Sequence, residues 1–255
     1  MTWTVLGDSV TGTSHRTRNT PCQDAFRILT FGPMAEWLVV AVADGAGSSS
    51  HSEIGATMAC DEFVRRIETL QPDGFFTRDG TLELFASVRR TLVAEADARG
   101  VRARELACTA LFAIVGPESA AFAQVGDGAI VIGPDPHYRT VFWPEPSEYA
   151  NTTDFLTDER FAEVIRFEAI SERITELAVL TDGMQRLALD FASRAPHMEF
   201  FSPLFRRLRA ESNPEQLVEP FRQFLDSSRV NERTDDDKTL VLTARREAHA
   251  PTSTY

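Results

Sequence analysis

Acidic residues stand at the ends of four apolar, strand-like segments of this chain, and carboxylates are the ligands that hard divalent cations prefer. Three of the segments are followed by an aspartate: Leu38–Val42 by Asp44, Ala121–Val125 by Asp127, and Leu177–Leu180 by Asp182. In the fourth case the acidic residues come first, as Asp235–Asp237 precede the segment Lys238–Ala244. Carboxylates brought together repel one another by roughly 4 kcal/mol per close pair at an effective dielectric of about 20. A cation must offset that repulsion, and an oxygen-rich site with little sulfur or imidazole suits Mg²⁺ or Mn²⁺. The pattern therefore predicts a metal centre.

Turn formation is the competing explanation for each Asp-Gly pair, because both residues tolerate a positive φ angle in short hairpins. Gly126-Asp127-Gly128 lies between two apolar runs, as a hairpin turn would. Asp44 and Asp182 differ, since each follows an apolar run without polar alternation, which is typical of a strand buried on both faces. A loop and then a helix are predicted after each of these two aspartates. Turn formation therefore does not explain all four clusters.

The composition is that of a globular protein with an ample core, since 43% of the 255 residues are hydrophobic and 25% are charged. The formal net charge of −12 argues against a nucleic-acid surface, because phosphate groups would be repelled. The three cysteines, Cys22, Cys60 and Cys108, are too scattered for a disulfide framework or a metal site. We see no signal-peptide pattern and no apolar run near the roughly 18–20 residues that span a bilayer. We expect a cytoplasmic protein that binds neither membrane nor nucleic acid.

The elements that must position these aspartates follow from the apolar periodicity. A capping box of Ser50 and Glu53 predicts the start of a first helix. Gly100 predicts the end of a second. The other elements predicted for the first part of the chain are strands at Trp3–Asp8, Phe26–Phe31 and Trp37–Val42, a polar loop over Ser9–Cys22, a buried stripe of Cys60, Phe63, Val64 and Ile67 on the first helix, and the second helix over Thr81–Arg99.

The second part of the chain is predicted to return to strands and then to helices. Short links between successive strands imply antiparallel pairing. The predicted segments are strands at Leu106–Val115, Ala121–Val125 and Ala129–Ile132, an irregular stretch over 133–171, a strand at Leu177–Leu180, mostly helix over Leu187–Leu225 with a helix start at Asn213-Pro214, and a last strand at Thr239–Thr243. We interpret residues 1–245 as one α+β domain with antiparallel sheets, followed by a disordered tail over 246–255.

Taken together, the motifs resemble those of the metal-dependent serine/threonine protein phosphatases of the type 2C family, and most closely its compact bacterial branch. They keep the family's order and span residues 12 to 239, nearly the whole chain. The matching residues are Gly12-Thr13-Ser14-His15, Pro21-Cys22-Gln23-Asp24, Val42-Ala43-Asp44-Gly45, Val125-Gly126-Asp127-Gly128, Leu180-Thr181-Asp182-Gly183 and Asp236-Asp237-Lys238-Thr239.

The resemblance implies a four-layer αββα sandwich, in which helices flank two antiparallel sheets and two Mn²⁺ or Mg²⁺ ions lie at one end of the sheets. Asp44 would bridge the ions, and the backbone carbonyl of Gly45 would bind one of them. Asp182 and Asp236 would complete the other ion's ligands, with Asp235 and Asp237 as alternatives to Asp236. Asp127 matches the residue that, with the equivalent of Asp182, holds a third ion in bacterial members.

The resemblance also implies roles for residues around the ions. Gln23 and Asp24 would lie behind the ligands and hold metal-bound waters. Asp237 stands where many relatives have asparagine and adds negative charge beside the site. Many relatives bind the phosphate with an arginine in the first motif. In this chain the equivalent position holds His15 when counted forward from Gly12, and Asn19 when counted back from Asp24. Arg16 and Arg18 are the nearby arginines that could replace the missing one.

The activity implied is hydrolysis of phosphoserine and phosphothreonine in proteins, by direct attack of a hydroxide shared by the two ions. Such an enzyme would be a monomer that opposes a serine/threonine kinase in bacterial signalling. Residues 148–156 lie where the family carries a mobile flap that could help select the substrate. The altered phosphate-gripping loop leaves a second class open, a catalytically weak relative that binds phosphoproteins or acts as a scaffold.

Overall fold

The computed structural model describes residues 2–69, 76–144 and 153–246. Its strands are β1 (Thr2–Val10), β2 (Asp24–Phe31), β3 (Trp37–Asp44), β4 (Ala110–Val115), β5 (Ala120–Val125), β6 (Ala129–Gly133), β7 (Arg139–Thr140), β8 (Arg166–Ile170), β9 (Glu176–Leu180), β10 (Leu189–Asp190), β11 (Ala195–Pro196) and β12 (Lys238–Arg246). Its α-helices are α1 (Thr13–Arg18), α2 (Ser52–Thr69), α3 (Arg78–Arg99), α4 (Phe161–Val164), α5 (Gln185–Ala188), α6 (Met198–Ala210), α7 (Glu215–Leu225) and α8 (Ser228–Asn231).

Two five-stranded sheets, antiparallel throughout, form the centre of the fold. Sheet A has the order β1-β12-β9-β6-β7, and sheet B has the order β2-β3-β4-β5-β8. Strands β10 and β11 form a separate two-stranded hairpin. The α+β class and the αββα sandwich expected from the resemblance are confirmed.

Three apolar clusters fill the spaces between the four layers. In β3, Leu38, Val40 and Val42 pack between the sheets, in the same cluster as Leu177 and Val241 of sheet A. Their neighbours along the strand lie in the cluster between sheet B and helices α2 and α3, and a third cluster lies between sheet A and helices α6 and α7. Because both faces of β3 are buried, its sequence lacks the polar alternation of a half-exposed strand.

The two long helices form as predicted, but their starts differ. On α2, Cys60, Phe63 and Ile67 are buried against sheet B. The capping box is wrong, because α2 begins at Ser52 and the residue before it is His51; the Ser50 N–H and hydroxyl both donate to Glu105 instead. Helix α3 begins before the predicted Thr81, since the Thr77 hydroxyl accepts the Gly80 N–H at 3.1 Å, and it ends at Gly100, whose φ is +70°.

Four stretches contain elements that the sequence patterns did not predict. The predicted loop Ser9–Cys22 holds the end of β1 and helix α1, and the irregular stretch holds α4 and β8. The predicted strand Leu106–Val115 starts only at Ala110, after a short 3₁₀ helix. The region predicted as mostly helical, Leu187–Leu225, includes the β10–β11 hairpin. The helix start predicted at Asn213-Pro214 agrees with the structure, in which Pro214 directly precedes α7.

The link between β5 and β6 is the largest topological correction. Antiparallel pairing is correct for β4 and β5 but wrong for β5 and β6, because β5 belongs to sheet B and β6 to sheet A. Gly126-Asp127-Gly128 therefore carries the chain from one sheet to the other and is not a hairpin turn. An Asp-Gly pair indicates only that the backbone can turn sharply at that point, and a hairpin turn and a crossing between sheets both need such a turn.

Strand β12 includes Arg246, one residue beyond the predicted domain limit of 245. The rest of the predicted tail lies outside the described residues. None of the helices in residues 2–69, 76–144 and 153–246 is long and apolar enough to cross a membrane.

Candidate metal centre

Asp44 is the last residue of β3, and the backbone around it is fixed on both sides. Its N–H donates to the Thr109 hydroxyl at 2.9 Å, and its carbonyl accepts the Thr109 N–H at 2.8 Å. The next residue, Gly45, forms an isolated β-bridge with Cys108 and donates its N–H to the Gln23 carbonyl at 3.0 Å. These bonds hold the end of the strand rigidly, as a metal ligand requires.

Two glycines at the site have no room for a side chain. A Cβ atom on Gly45 would lie 2.7 Å from the Ser52 carbonyl oxygen and 2.8 Å from that of Gln23. A Cβ atom on Gly183 would collide with the Asp237 carbonyl oxygen. The glycine after Asp44 and the glycine after Asp182 are therefore required by close packing of backbone, as well as by any turn geometry.

Asp182 and Asp127 reach the same place from different strands. Asp182 follows β9 through Thr181 and starts a short 3₁₀ helix that leads into α5. Asp127 lies on the crossing between the sheets, where its carboxylate accepts the Thr153 hydroxyl at 3.0 Å. The Gln185 side-chain amide also donates to the Asp127 carbonyl. The crossing and the start of α5 are thus bonded to one another.

Three of the predicted ligands form one compact group. A carboxylate oxygen from each of Asp44, Asp127 and Asp182 lies within 4.8 Å of the other two. Asp236 lines the same pocket of about 360 Å³ but stands outside this group, with its side chain 52% exposed. Asp127, expected only as a ligand of a third ion, is therefore placed as closely as Asp44 and Asp182.

The carboxyl groups at the site destabilise one another's charged forms. Burial, followed by the charges of Asp24 and Asp182, raises the pKa of Asp44 well above its ordinary value. Burial, followed by the charges of Asp127 and Asp236, raises the pKa of Asp182 to about 6. Both causes disfavour the ionised carboxylate, and a bound cation would reverse them.

The donor set fits a hard divalent cation. Three carboxylates converge in a pocket that Gly45 also lines, and the arginine lining that pocket is Arg18. Gln23 is a second observation that points to a ligand: the residue lines the pocket, and its buried Oε1 atom has no hydrogen-bond partner among the described residues. A buried acceptor without a donor is costly unless a water or an ion completes it. Oxygen ligands of this kind suit Mg²⁺ and Mn²⁺.

Asp24 connects the two sheets behind the pocket. It pairs with Asp44 across β2 and β3 in sheet B, and its Oδ2 atom accepts the hydroxyls of Thr181 and Thr239 from sheet A, each at 2.8 Å. Burial raises its pKa to about 8, although these hydrogen bonds act in the opposite direction. This buried carboxyl group fixes the spacing of the strands that carry Asp44 and Asp182.

Asp237 is buried and accepts three hydrogen bonds from the loop that carries the first motif. Its Oδ1 accepts the Gly12 N–H at 2.6 Å, and its Oδ2 accepts the Gln23 N–H at 2.6 Å and His15 Nδ1 at 2.8 Å. Its side chain is 2% exposed, against 52% for Asp236. The negative charge that Asp237 adds to the site therefore holds this loop and the His15 ring. The other ring nitrogen, His15 Nε2, lies 3.9 Å from Asp236.

The candidate phosphate-binding residues separate into two groups. His15 and Arg18 line the pocket together with Ser14. Arg16 is turned away, since its guanidinium binds Asp226 at 2.5 Å and the Thr11 carbonyl at 2.7 Å. In the predicted flap, residues 148–152 lie outside the described residues, while Thr153 and Phe155 line the pocket.

Sequence patterns missed the threonines that organise the site. Thr109 holds the end of β3, and Thr181 and Thr239 hold Asp24. Thr181 directly precedes Asp182 and Thr239 follows Asp236 by three residues, so their places within the matching motifs are the signal that could have identified them. Nothing in the sequence near Thr109 marks it, because its partner Asp44 is 65 residues away.

Comparisons with known proteins point to one family and one fold. The family model described as "Protein phosphatase 2C" matches residues 11–222. The chain is 38% identical over 248 residues to a protein of Escherichia coli named serine/threonine-protein phosphatase 3, covering 95% of this chain and 98% of that one. Among solved structures, it is similar to the serine/threonine phosphatase Stp1 of Staphylococcus aureus, with a TM-score of 0.65, 16% identity and coverage of 97% and 96%. A Pseudomonas aeruginosa protein, PppA, has a TM-score of 0.64 at 16% identity, covering 96% of this chain and 98% of that one.

Proposed function

Because this chain belongs to the protein phosphatase 2C family and is a serine/threonine phosphatase of that type, we propose that it hydrolyses phosphoserine and phosphothreonine in proteins with the help of divalent cations. The observation that carries the proposal is the convergence of Asp44, Asp127 and Asp182, with oxygen atoms within 4.8 Å of one another. The buried, unpaired Oε1 atom of Gln23 beside them supports it.

The ions would be held by Asp44, the Gly45 carbonyl and Asp182, with Asp236 on the open side of the pocket and Asp127 available to a third ion. When bound, two divalent cations lower the pKa of a shared water toward neutrality and offset charge on the phosphoryl oxygens. The chain supplies rigid placement, because the backbone around Asp44 is bonded to Thr109 and Asp24 joins the two sheets behind it. No cysteine or serine nucleophile is needed.

The phosphate itself would be bound by the first-motif loop. His15 and Arg18 line the pocket, and Asp237 occupies His15 Nδ1, so Nε2 is the atom left for a phosphoryl oxygen. The Arg18 guanidinium can donate two parallel hydrogen bonds to a phosphate, which makes it the stronger partner. Arg16 is assigned a different role, since its bonds to Asp226 and Thr11 anchor α1 to the end of α7.

The decisive experiment measures hydrolysis of p-nitrophenyl phosphate and of a phosphothreonine peptide with Mn²⁺, with a chelator, and with Asp44→Asn. We expect activity that requires the cation and is abolished by the substitution. The matched control is Asp97→Asn, which removes one exposed carboxylate from α3, far along the chain from any motif. Activity that survives both chelation and Asp44→Asn would exclude the cation-dependent mechanism.

No observation favours the alternative of a catalytically weak binding or scaffold protein. Metal binding measured by calorimetry without hydrolysis of any phosphomonoester would be the result in its favour. The opposing serine/threonine kinase, the cytoplasmic location, the monomeric state and the identity of the cation as Mn²⁺ or Mg²⁺ stay predictions from the sequence.

A further inference from the structure

A second pocket, a groove of about 380 Å³, opens between α5, α6, α7 and α8. Two segments connect it to the metal pocket. Arg186 lines the groove and follows Asp182 by four residues, a distance of about 6–8 Å along helical chain. Arg233 also lines it and precedes Asp235, which lines the metal pocket, by two residues. A ligand in the groove would therefore lie next to the reacting centre.

The wall of this groove is apolar. Phe200, Leu204 and Phe224 are half-buried, and the rings of Phe200 and Phe224 have centroids 6.2 Å apart. Apolar side chains left half-exposed in a concave surface favour a ligand that brings its own apolar group.

The rim of the groove is basic, in contrast to the chain as a whole. Arg186, Arg229 and Arg233 are exposed and line it, while the formal net charge of the chain is −12. Glu199 is the acidic residue among the lining side chains.

These three arginines are also free of internal ion pairs. Elsewhere arginines are commonly joined to carboxylates, as in the pair of Arg222 with Asp8 at 2.8 Å. Within the part of the chain that the structure describes, no hydrogen bond or ion pair joins the guanidinium of Arg186, Arg229 or Arg233 to another residue. Their donors are available to a ligand.

We propose that this basic groove binds an acidic segment of the phosphoprotein substrate that carries one large apolar side chain and lies close to the phosphorylated residue. The inference rests on the proposed phosphatase function. Charge complementarity selects the occupant: three unpaired guanidinium groups attract carboxylates, and the wall between Phe200 and Phe224 receives the apolar side chain. The groove would make the enzyme prefer phosphorylation sites in acidic surroundings.

The test compares phosphothreonine peptides that differ only in their flanks. One carries Glu-Asp-Phe-Glu on the N-terminal side, a second carries it on the C-terminal side, and a third carries Gln-Asn-Phe-Gln on both. We expect a lower KM for one acidic peptide than for the neutral one, by about tenfold at low salt, and a smaller preference at high salt because exposed ion pairs are screened. p-Nitrophenyl phosphate, which has no peptide flank to occupy the groove, reports the chemistry alone.

The variant is Arg229→Glu combined with Arg233→Glu, and its matched control is Arg78→Glu combined with Arg206→Glu. Both doubles change the net charge equally at exposed arginines, but Arg78 and Arg206 do not line the groove. We expect the groove variant to lose the preference for the acidic peptide, with activity on p-nitrophenyl phosphate unchanged, and the control to keep both. Equal KM values for acidic and neutral peptides, or equal effects of the two doubles, would overturn the proposal.

Two further measurements separate other outcomes. The first is the binding of a fluorescent, unphosphorylated acidic peptide, measured by anisotropy in the presence of chelator. It tests the groove even if no phosphomonoester is hydrolysed. Binding that depends on the groove, without hydrolysis, would contradict only the phosphatase function. Sedimentation velocity tests a second copy of the chain as the occupant. A wild-type dimer that the groove variant converts to monomer, with no acidic-peptide binding, would overturn the proposal in favour of self-association.

Discussion

Asp237 holds the imidazole of His15 through a 2.8 Å hydrogen bond between Oδ2 and Nδ1, although the two residues are 222 positions apart. The same carboxylate accepts the backbone N–H groups of Gly12 and Gln23. A single buried side chain just before β12 therefore sets the position of the whole first-motif loop, and with it the residues expected to bind the phosphate.

We expect Asp237→Asn to lower the free energy of unfolding by about 1–3 kcal/mol, because the amide nitrogen cannot accept and leaves a buried donor unsatisfied. The KM for a phosphopeptide should rise, since the first-motif loop that carries His15 loses one of the two acceptor oxygens that hold it. Urea denaturation and steady-state kinetics measure the two effects. Asp235→Asn is the control for stability alone, since this neighbouring carboxylate is exposed. Equal stability of the two variants would contradict the role given to Asp237.

Asp182→Asn should have opposite effects on stability and on activity. Removing one charge from a group of carboxylates relieves repulsion, so the melting temperature in chelator should rise. The loss of a ligand should abolish the increase in melting temperature caused by Mn²⁺ and lower kcat/KM at least about 100-fold. Calorimetry with and without Mn²⁺, together with hydrolysis of p-nitrophenyl phosphate, checks both. A lower metal-free melting temperature would show that the carboxylates do not repel one another in the folded state.

Without metal, the protein should lose stability as the pH rises from about 4 to about 8. The pKa of Asp182 is raised to about 6 and that of Asp24 to about 8, from an ordinary value of 3.8. Over this range the folded state binds more protons than the unfolded state, so the free energy of unfolding falls with increasing pH. Bound Mg²⁺ stabilises the ionised form, so its effect on the melting temperature should be larger at a pH of about 8 than at about 5. A pH-independent effect of Mg²⁺ would refute this.

Gly45→Ala should destabilise the protein by about 1–3 kcal/mol, because the added Cβ meets the carbonyl oxygens of Ser52 and Gln23 at 2.7 and 2.8 Å. Gly47→Ala is the matched control two residues away, where the nearest neighbour of the new Cβ is 3.9 Å distant, and its effect should be within about 0.5 kcal/mol. Thermal unfolding of the two variants in chelator gives the comparison. A similar loss of stability in the two variants would mean that the loop in general, and not the contact of the Cβ atom with the two carbonyl oxygens, determines the destabilisation.

The strand-end aspartates were predictable from the sequence because burial on both faces leaves a strand with no polar alternation. Asp44 and Asp182 stand where such runs stop, and the structure brings them together with Asp127. The layers of the sandwich were accessible only through the family resemblance. Periodicity alone gave an α+β domain with antiparallel sheets.

The elements that the sequence patterns missed or misassigned have physical explanations. Helix α1 has six residues and one buried side chain, His15, so it leaves no apolar periodicity to detect. Strand β8 lies at the edge of sheet B with only part of its surface buried, which weakens its signal. The crossing at Asp127 has the same local sequence as a hairpin, and only the long-range pairing of β6 with β9 distinguishes the two.

Strand β12 lies between β1 and β9 in sheet A, so the last of the described strands pairs with the first. Loss of the segment from Asp236 through β12 would leave β1 without a neighbour in its sheet, the first-motif loop without Asp237 and the pocket without Asp236. These contacts join distant parts of the chain, as Gly12 and Asp237 are 225 positions apart, so a long loop must close before they form. Completion of the pocket is therefore coupled to the closure of sheet A by its most distant strands.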